Sequence, residues 1–195
     1  MKTVSLRERK KDKTRQALLE AALRLFAIQG FTETTINQIA AEVEVSPRTL
    51  LRYFPTKEDI VVSCVEETMS AFMDRFSQVS PEEPPHLSLL AGARAILETY
   101  QSKADFYLTV ERAIAASPDI RARKLEMSAS LAEQVTTLLK IRAGLTPIAQ
   151  WQAELYPDIV FSILRKVIGR WVAENGKDPL TELFDTASRL VSFEN

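Results

Sequence analysis

The chain has one cysteine, Cys64, and one histidine, His86, among 195 residues. A single cysteine excludes an intrachain disulfide and any thiolate cluster around zinc. A single histidine excludes multi-histidine metal sites and leaves a Ser-His-Asp triad nothing to work with away from residue 86. The carboxylates Glu66, Glu67, Glu111 and Glu154 are scattered, with no cysteine or histidine cluster to complete a metal set. Glycine is also scarce, at five residues, and no glycine-rich loop is available to cradle a phosphate. No catalytic residue, metal ligand or cofactor is therefore assigned, and the chain does not read as an enzyme. Apolar runs stay below the roughly 18 residues a membrane span needs, so no membrane partner is expected. The charged N-terminus lacks the apolar stretch of a secretory signal, which makes the cytoplasm the expected location.

What is present is ordinary in bulk and uneven in distribution. Apolar residues make up 46% and charged residues 26%, values of a globular chain rather than a disordered one. The net charge is −1, yet residues 1–15 hold seven basic side chains (Lys2, Arg7, Arg9, Lys10, Lys11, Lys13 and Arg15) against Glu8 and Asp12. A basic arm on an acidic body suits phosphate binding; a solvated tail has the same composition.

Apolar periodicity predicts helices throughout, and no strand is required. The first runs from about Lys13 to Gln29, with Leu18, Ala22, Leu25 and Phe26 on one stripe and Gly30 as its stop. Thr35 and Gln38 form a capping box for a short second helix burying Ile36, Ile39, Ala40 and Val43. Ser46-Pro47 opens a third, which ends near Phe54 because Pro55 cannot continue it. Thr56 caps a fourth from Lys57 to about Phe76. A proline-rich loop at 80–86 follows, then helices over 87–101, 104–116, 118–142, 147–175 and about 179–191, with Gly144 ending the seventh, Thr146-Pro147 capping the eighth and Asp178-Pro179 capping the ninth. Pro157 either kinks or divides the eighth. About nine helices in an all-α fold result.

The first three helices have helix-turn-helix spacing. Ile39, Ala40, Val45, Leu50 and Phe54 can pack against Leu18, Leu25 and Phe26. That leaves Pro47, Arg48, Thr49, Leu51 and Arg52 on or near the outer face of the third helix, with Arg48 and Arg52 as i, i+4 neighbours. Lys57 lies at the N-terminal end of the fourth helix, where the dipole disfavours a cation. A bound phosphate would reverse that sign; a side chain in solvent is the alternative.

The string Thr35-Ile36-Asn37-Gln38-Ile39-Ala40 followed by Val45-Ser46-Pro47-Arg48-Thr49-Leu50-Leu51-Arg52-Tyr53-Phe54-Pro55-Thr56-Lys57-Glu58-Asp59 resembles the DNA-binding signature of the tetracycline-repressor (TetR) family. The motif covers about residues 13–60. The resemblance implies an N-terminal helix-turn-helix DNA-binding domain over 1–60 and a helical effector-binding and dimerisation domain over 61–195. It further implies phosphate contacts from Thr35, Thr49, Tyr53 and Lys57, and base or thymine-methyl contacts from Asn37, Pro47, Arg48 and Leu51. Arg52 fits either role. These residue types agree with the general rule that hydroxyls and cations position a protein while arginine reads guanine in the major groove. Two positions depart from the pattern. Glu44 stands where the family usually has a turn glycine, at a cost of about 1 kcal/mol if φ is positive there. Leu51 replaces the usual aromatic residue, which implies an altered operator sequence or a weakened affinity.

Beyond residue 60, Met69, Phe72, Met73, Phe76, Tyr100, Phe106, Tyr107, Met127, Trp151 and Phe161 are candidates to line an apolar effector pocket, or else form plain core. Cys64 reads as a small apolar filler, with a redox role as the alternative. Apolar stripes formed by Ile163, Leu164, Val167, Ile168 and Trp171, and by Leu183, Phe184, Ala187 and Leu190, suit an isologous contact in a homodimer, or burial within one chain. The resulting expectation is a homodimeric repressor that binds a palindromic double-stranded DNA operator and is released by a small apolar or aromatic effector. An activator, a ligand-independent regulator, or a helical small-molecule binder without DNA remain as alternatives.

Overall fold

A computed structural model of the chain describes residues 5–142, 146–191 and 193, the side chains of Leu6 and Arg7 excepted. Among these residues there are nine helices: α1 (Leu6–Gln29), α2 (Ile36–Glu42), α3 (Pro47–Tyr53), α4 (Lys57–Gln78), α5 (Pro85–Ser102), α6 (Ala104–Ala116), α7 (Pro118–Arg142), α8 (Pro147–Ala173) and α9 (Leu180–Ser188). None is long and apolar enough to cross a membrane.

Side-chain caps set most of the helix starts. Thr35 and Gln38 form the expected capping box, Ser46 accepts from the amide of Thr49, and Thr146 accepts from that of Ala149. Thr56 and Asp59 exchange hydrogen bonds at the head of α4, the amide of Thr56 donating to Asp59 at 2.9 Å and that of Asp59 to Thr56 Oγ1 at 3.2 Å. Each such cap stabilises its helix by about 1 kcal/mol.

Several expectations need correction. The basic segment is not an arm before the first helix. Ser5 and Glu8 form a capping box, and α1 starts at Leu6, because the lysines and arginines between are good helix formers. Lys2, and Gly144 as a helix stop, lie outside the described residues. His86 is not in a loop: Pro85 occupies the first turn of α5 and His86 is buried behind it, a position proline favours. Of the two alternatives at Pro157, division does not occur: α8 runs unbroken through it. Pro179, with no side-chain hydrogen bond, stands at the cap of α9 where Asp178 was expected.

The chain forms two compact units. One comprises residues up to Cys64 together with Thr109–Arg121, and the other comprises Val65–Leu108 and the residues from Ala122 onward. The division falls inside α4, four residues beyond the expected boundary at 60, and α6 and α7 each contribute to both. In the first unit Leu18, Leu19, Ala22, Phe26, Ile39, Ala40, Leu50 and Phe54 are buried, while Leu25 is only half-buried. Phe26 and Phe31 meet edge to face at 5.1 Å. Cys64 is fully buried, its thiol donating to Ile60 O at 3.5 Å. In the second unit α5, α8 and α9 pack together. Its core holds Phe72, Phe76, Leu97, Val160 and Trp171, with Tyr100 and Tyr107 stacked at 4.2 Å. Gly92 allows a close approach there: a Cβ on it would stand 2.9 Å from the Phe72 ring.

Candidate nucleic-acid interface

The turn between α2 and α3 follows from helix-end chemistry. After Val43 the chain enters the left-handed region at Glu44, φ 54°. The amide of Val45 donates to Ala40 O at 3.0 Å and that of Glu44 to Ala41 O at 3.1 Å. This pair of bonds is a Schellman end, which places its positive φ at the residue after the cap. The turn therefore does require positive φ, and Glu44 bears the strain that glycine would avoid. A matching end closes α8, with Asn175 at φ 54° and the amide of Gly176 donating to Trp171 O. Asparagine tolerates that region; glutamate does so poorly.

The turn fixes how α3 is presented. Leu50 faces inward with no exposure and Phe54 follows it into the core. Pro47, Arg48, Leu51 and Arg52 are all exposed, Leu51 at 43%. Arg48 makes no hydrogen bond or ion pair among the described residues, so its guanidinium fork is unspent. Arg52 lies over the Tyr53 ring at 5.5 Å. Thr49 and Tyr53 are half-buried, and the Thr49 hydroxyl shares a 2.9 Å hydrogen bond with Ser46 Oγ. The outward flank is thus open to a double-stranded polymer, with one apolar and two cationic side chains within two turns.

Thr35 and Asn37 are exposed at the head of α2. The Thr35 hydroxyl donates to Gln38 Oε1 at 3.1 Å and accepts from the Gln38 amide. Gln29, a residue the sequence reading passed over, supports this corner: its Nε2 donates to Gln38 Oε1 at 3.1 Å and to Glu33 O at 3.2 Å. A glutamine one residue before a helix-ending glycine carries no signal of such a role in the sequence. Arg24 and Glu42 add a surface ion pair at 3.5 Å.

Lys57 does not extend into solvent. Its ammonium donates to Phe31 O at 2.7 Å, Thr34 O at 2.8 Å and Thr32 O at 3.1 Å. It also stands 4.4 Å from the centroid of the Phe31 ring. All three ammonium hydrogens are used. Three carbonyls and an aromatic face compensate the unfavourable dipole, and Lys57 ties the start of α4 to the α1–α2 connection. Arg15 is likewise engaged over the Phe54 ring at 5.0 Å. Arg9, Lys10, Lys11 and Lys13 remain exposed on the first turns of α1.

The other expected sites disperse. Phe72, Phe76, Tyr100 and Tyr107 are core residues, and Met69, Met73, Phe106 and Phe161 pack against that core. Met127 is half-buried and outside the cluster, and Trp151 is 62% exposed. The expected dimer face also turns inward. Leu164, Val167, Ile168, Trp171 and Phe184 are buried within the one chain, and Leu183 and Ala187 pack on the same core. Ile163 does so too, and Leu190 alone stands out at 85% exposure. A different set, Ile148, Trp151 and Leu155, forms an exposed apolar stripe on α8.

An exposed flank on the second helix of a helix-turn-helix defines a DNA-binding protein. Residues 18–64 match the family described as bacterial regulatory proteins, tetR family. The chain is thus a DNA-binding transcriptional regulator whose helix-turn-helix segment is that of the TetR family. It is 28% identical over 191 residues to the HTH-type transcriptional regulator TcmR of Streptomyces glaucescens, covering 93% of this chain and 84% of that one. Its fold is similar to that of the fatty acid degradation regulator FadR from Bacillus halodurans, with a TM-score of 0.68 at 21% identity, covering 90% of this chain and 93% of the other. A transcriptional regulator FadR from Bacillus subtilis, solved in complex with stearoyl-CoA, is comparable, with a TM-score of 0.67 at 18% identity and coverage of 90% and 96%.

Proposed function

We propose that the chain is a homodimeric, cytoplasmic repressor that binds a palindromic operator and leaves it when a small effector binds. The observation that carries the reading is the outward flank of α3, where Arg48, Leu51 and Arg52 stand exposed beside an inward Leu50. In this reading α3 enters the major groove of a half-site. Arg48 reads a guanine, Leu51 and Pro47 meet apolar base edges, and Asn37 and Arg52 reach neighbouring bases or phosphates. Thr35, Thr49 and Tyr53 contact phosphates, assisted by Arg9, Lys10, Lys11 and Lys13 on α1. Lys57 is assigned to holding the head together rather than to a phosphate.

One short helix reads few base pairs, and two copies about 34–36 Å apart read a palindrome. The exposed Ile148, Trp151 and Leu155 stripe is the face we assign to the second copy, since the apolar residues first considered are occupied by the chain's own core. Effector release requires a ligand that distinguishes two states of the protein. The stearoyl-CoA complex of a protein of similar fold supports an effector with a long apolar part.

The test is to sequence the genomic DNA that the purified protein retains. Enrichment of an inverted repeat, with half-sites about one helical turn apart, is the expected result. Retention of no fragment above background would refute the reading.

A further inference from the structure

A cleft of about 820 Å³ opens in the second compact unit, between α4, α5, α9 and the residues after α9. None of the aromatic residues first considered for an effector is in its lining. Its size falls within the roughly 300–1,000 Å³ of small-molecule sites. Phe184 and Phe193 supply apolar wall, and Phe193 is itself fixed by stacking on His86 at 5.4 Å and meeting Tyr156 edge to face at 5.1 Å. Arg75, Arg94 and Arg189 line the same space from three segments of chain.

Among the described residues the charges of the lining do not cancel. Arg94 is ion-paired with Asp185. Arg75 donates to the neutral Gln78 Oε1 at 3.2 Å, and Arg189 Nε to the main-chain oxygen of Asp185 at 3.2 Å. Among the described residues Glu98 is the only other carboxylate in the lining. Two guanidiniums therefore face one unmatched carboxylate, on a body that is acidic outside its first 15 residues. The wall also holds Ser188, whose enclosed hydroxyl makes no hydrogen bond among the described residues. Arginine forks bind carboxylate and phosphate oxygens, and apolar walls bind hydrocarbon.

We infer that this cleft takes an amphiphile with an apolar body and one anionic group, held by Arg75 and Arg189. The inference rests on the proposed effector-controlled reading and names the chemical class of its ligand. It also gives α4 a residue at the ligand, Arg75, on the same helix whose first residue is Lys57.

The test uses the full chain, isothermal titration and three probes: decanoate, decyl phosphate and decanol. Decanoate or decyl phosphate is expected to bind one equivalent per chain at least tenfold more tightly than decanol, the tighter of the two assigning the head group. Arg75→Gln with Arg189→Gln should lower anion affinity at least tenfold, leave decanol unchanged and leave the thermal midpoint unmoved, since both side chains are exposed. Absence of binding by both anions, equal binding of decanol, or unaltered anion affinity in the double variant would each overturn the inference. DNA retention by the same preparation separates the two readings. Retained DNA without anion binding refutes only the cleft assignment, and anion binding without retained DNA refutes only the regulator.

Discussion

Replacing Lys57 separates two roles that a lysine at this position can have. If its ammonium contacts a phosphate, Lys57→Ala weakens DNA binding and makes its salt dependence shallower by about 0.9 in the log–log slope. If it is spent on Phe31, Thr32 and Thr34, the same change weakens the fold and leaves the slope alone. The geometry argues for the second. A hydrogen bond to a charged donor contributes about 1.5–3 kcal/mol, and cation–π contact about 0.5–1 kcal/mol at exposed sites. The three bonds share one ammonium and are not additive. The site is also half-exposed, so water can reach part of the carbonyl cluster once the side chain is gone. A net loss of about 2 kcal/mol follows.

The measurement pairs urea unfolding with anisotropy titrations of a non-specific duplex at several salt concentrations. Lys57→Ala and Lys57→Met should both lower the urea midpoint, the methionine slightly less because its stem still covers Phe31. Both should keep the wild-type salt slope once measured under conditions where they are folded. Wild-type stability combined with a shallower slope would refute the reasoning, because it would mean the ammonium leaves its carbonyls for DNA.

Four further outcomes are expected. Glu44→Gly should raise stability by about 0.5–1 kcal/mol, the relief of a left-handed residue less glycine's own entropic cost, whereas Glu44→Ala should not; equal urea midpoints for the two would remove the strain. Arg48→Ala should cost about 1–3 kcal/mol at one base position, and selection from random duplexes returning wild-type preferences would take Arg48 out of base reading. Trp151→Glu should dissociate the proposed dimer with the fold intact in sedimentation and circular dichroism, while Trp171→Glu should unfold the chain, because an unpaired charge would be buried. Burial holds the His86 imidazole below its ordinary range. The unfolded chain then takes up that proton first, and stability falls as pH drops below about 6.5; His86→Phe should flatten thermal midpoints between about pH 7 and 5.5, and a parallel decline would refute it.

What the sequence made legible is what local chemistry decides. Helix starts at Thr35, Ser46 and Thr146 were readable because a hydroxyl three residues before a free amide has one obvious use. The positive φ at Glu44 was readable conditionally, since a short turn after a helix demands it and only the residue type was unusual. The outward flank of α3 was readable because one inward leucine, Leu50, fixes the phase of a helix of seven residues. Misreadings arose where the partner is remote. The carbonyls that hold Lys57 lie 23–26 positions earlier in the chain, and nothing in the intervening residues points to them.

The same limit explains the exchange of Trp171 for Trp151. Periodicity identifies an apolar stripe but is silent on what covers it. α8 is apolar on more than one face: Val160, Leu164, Val167 and Trp171 follow one line, and Ile148, Trp151 and Leu155 another. A helix with two such lines can offer only one of them to its own core. α5 and α9 take the line through Trp171, whose indole is 2% exposed. The line left over is therefore the one that a second copy would have to cover, and its three side chains at 49–70% exposure are what a lone chain leaves in water. A monomer carrying that stripe bears the full hydrophobic cost of exposing it. This is why the sedimentation behaviour of Trp151→Glu, rather than that of any residue in the buried line, decides whether two heads are joined to read one operator.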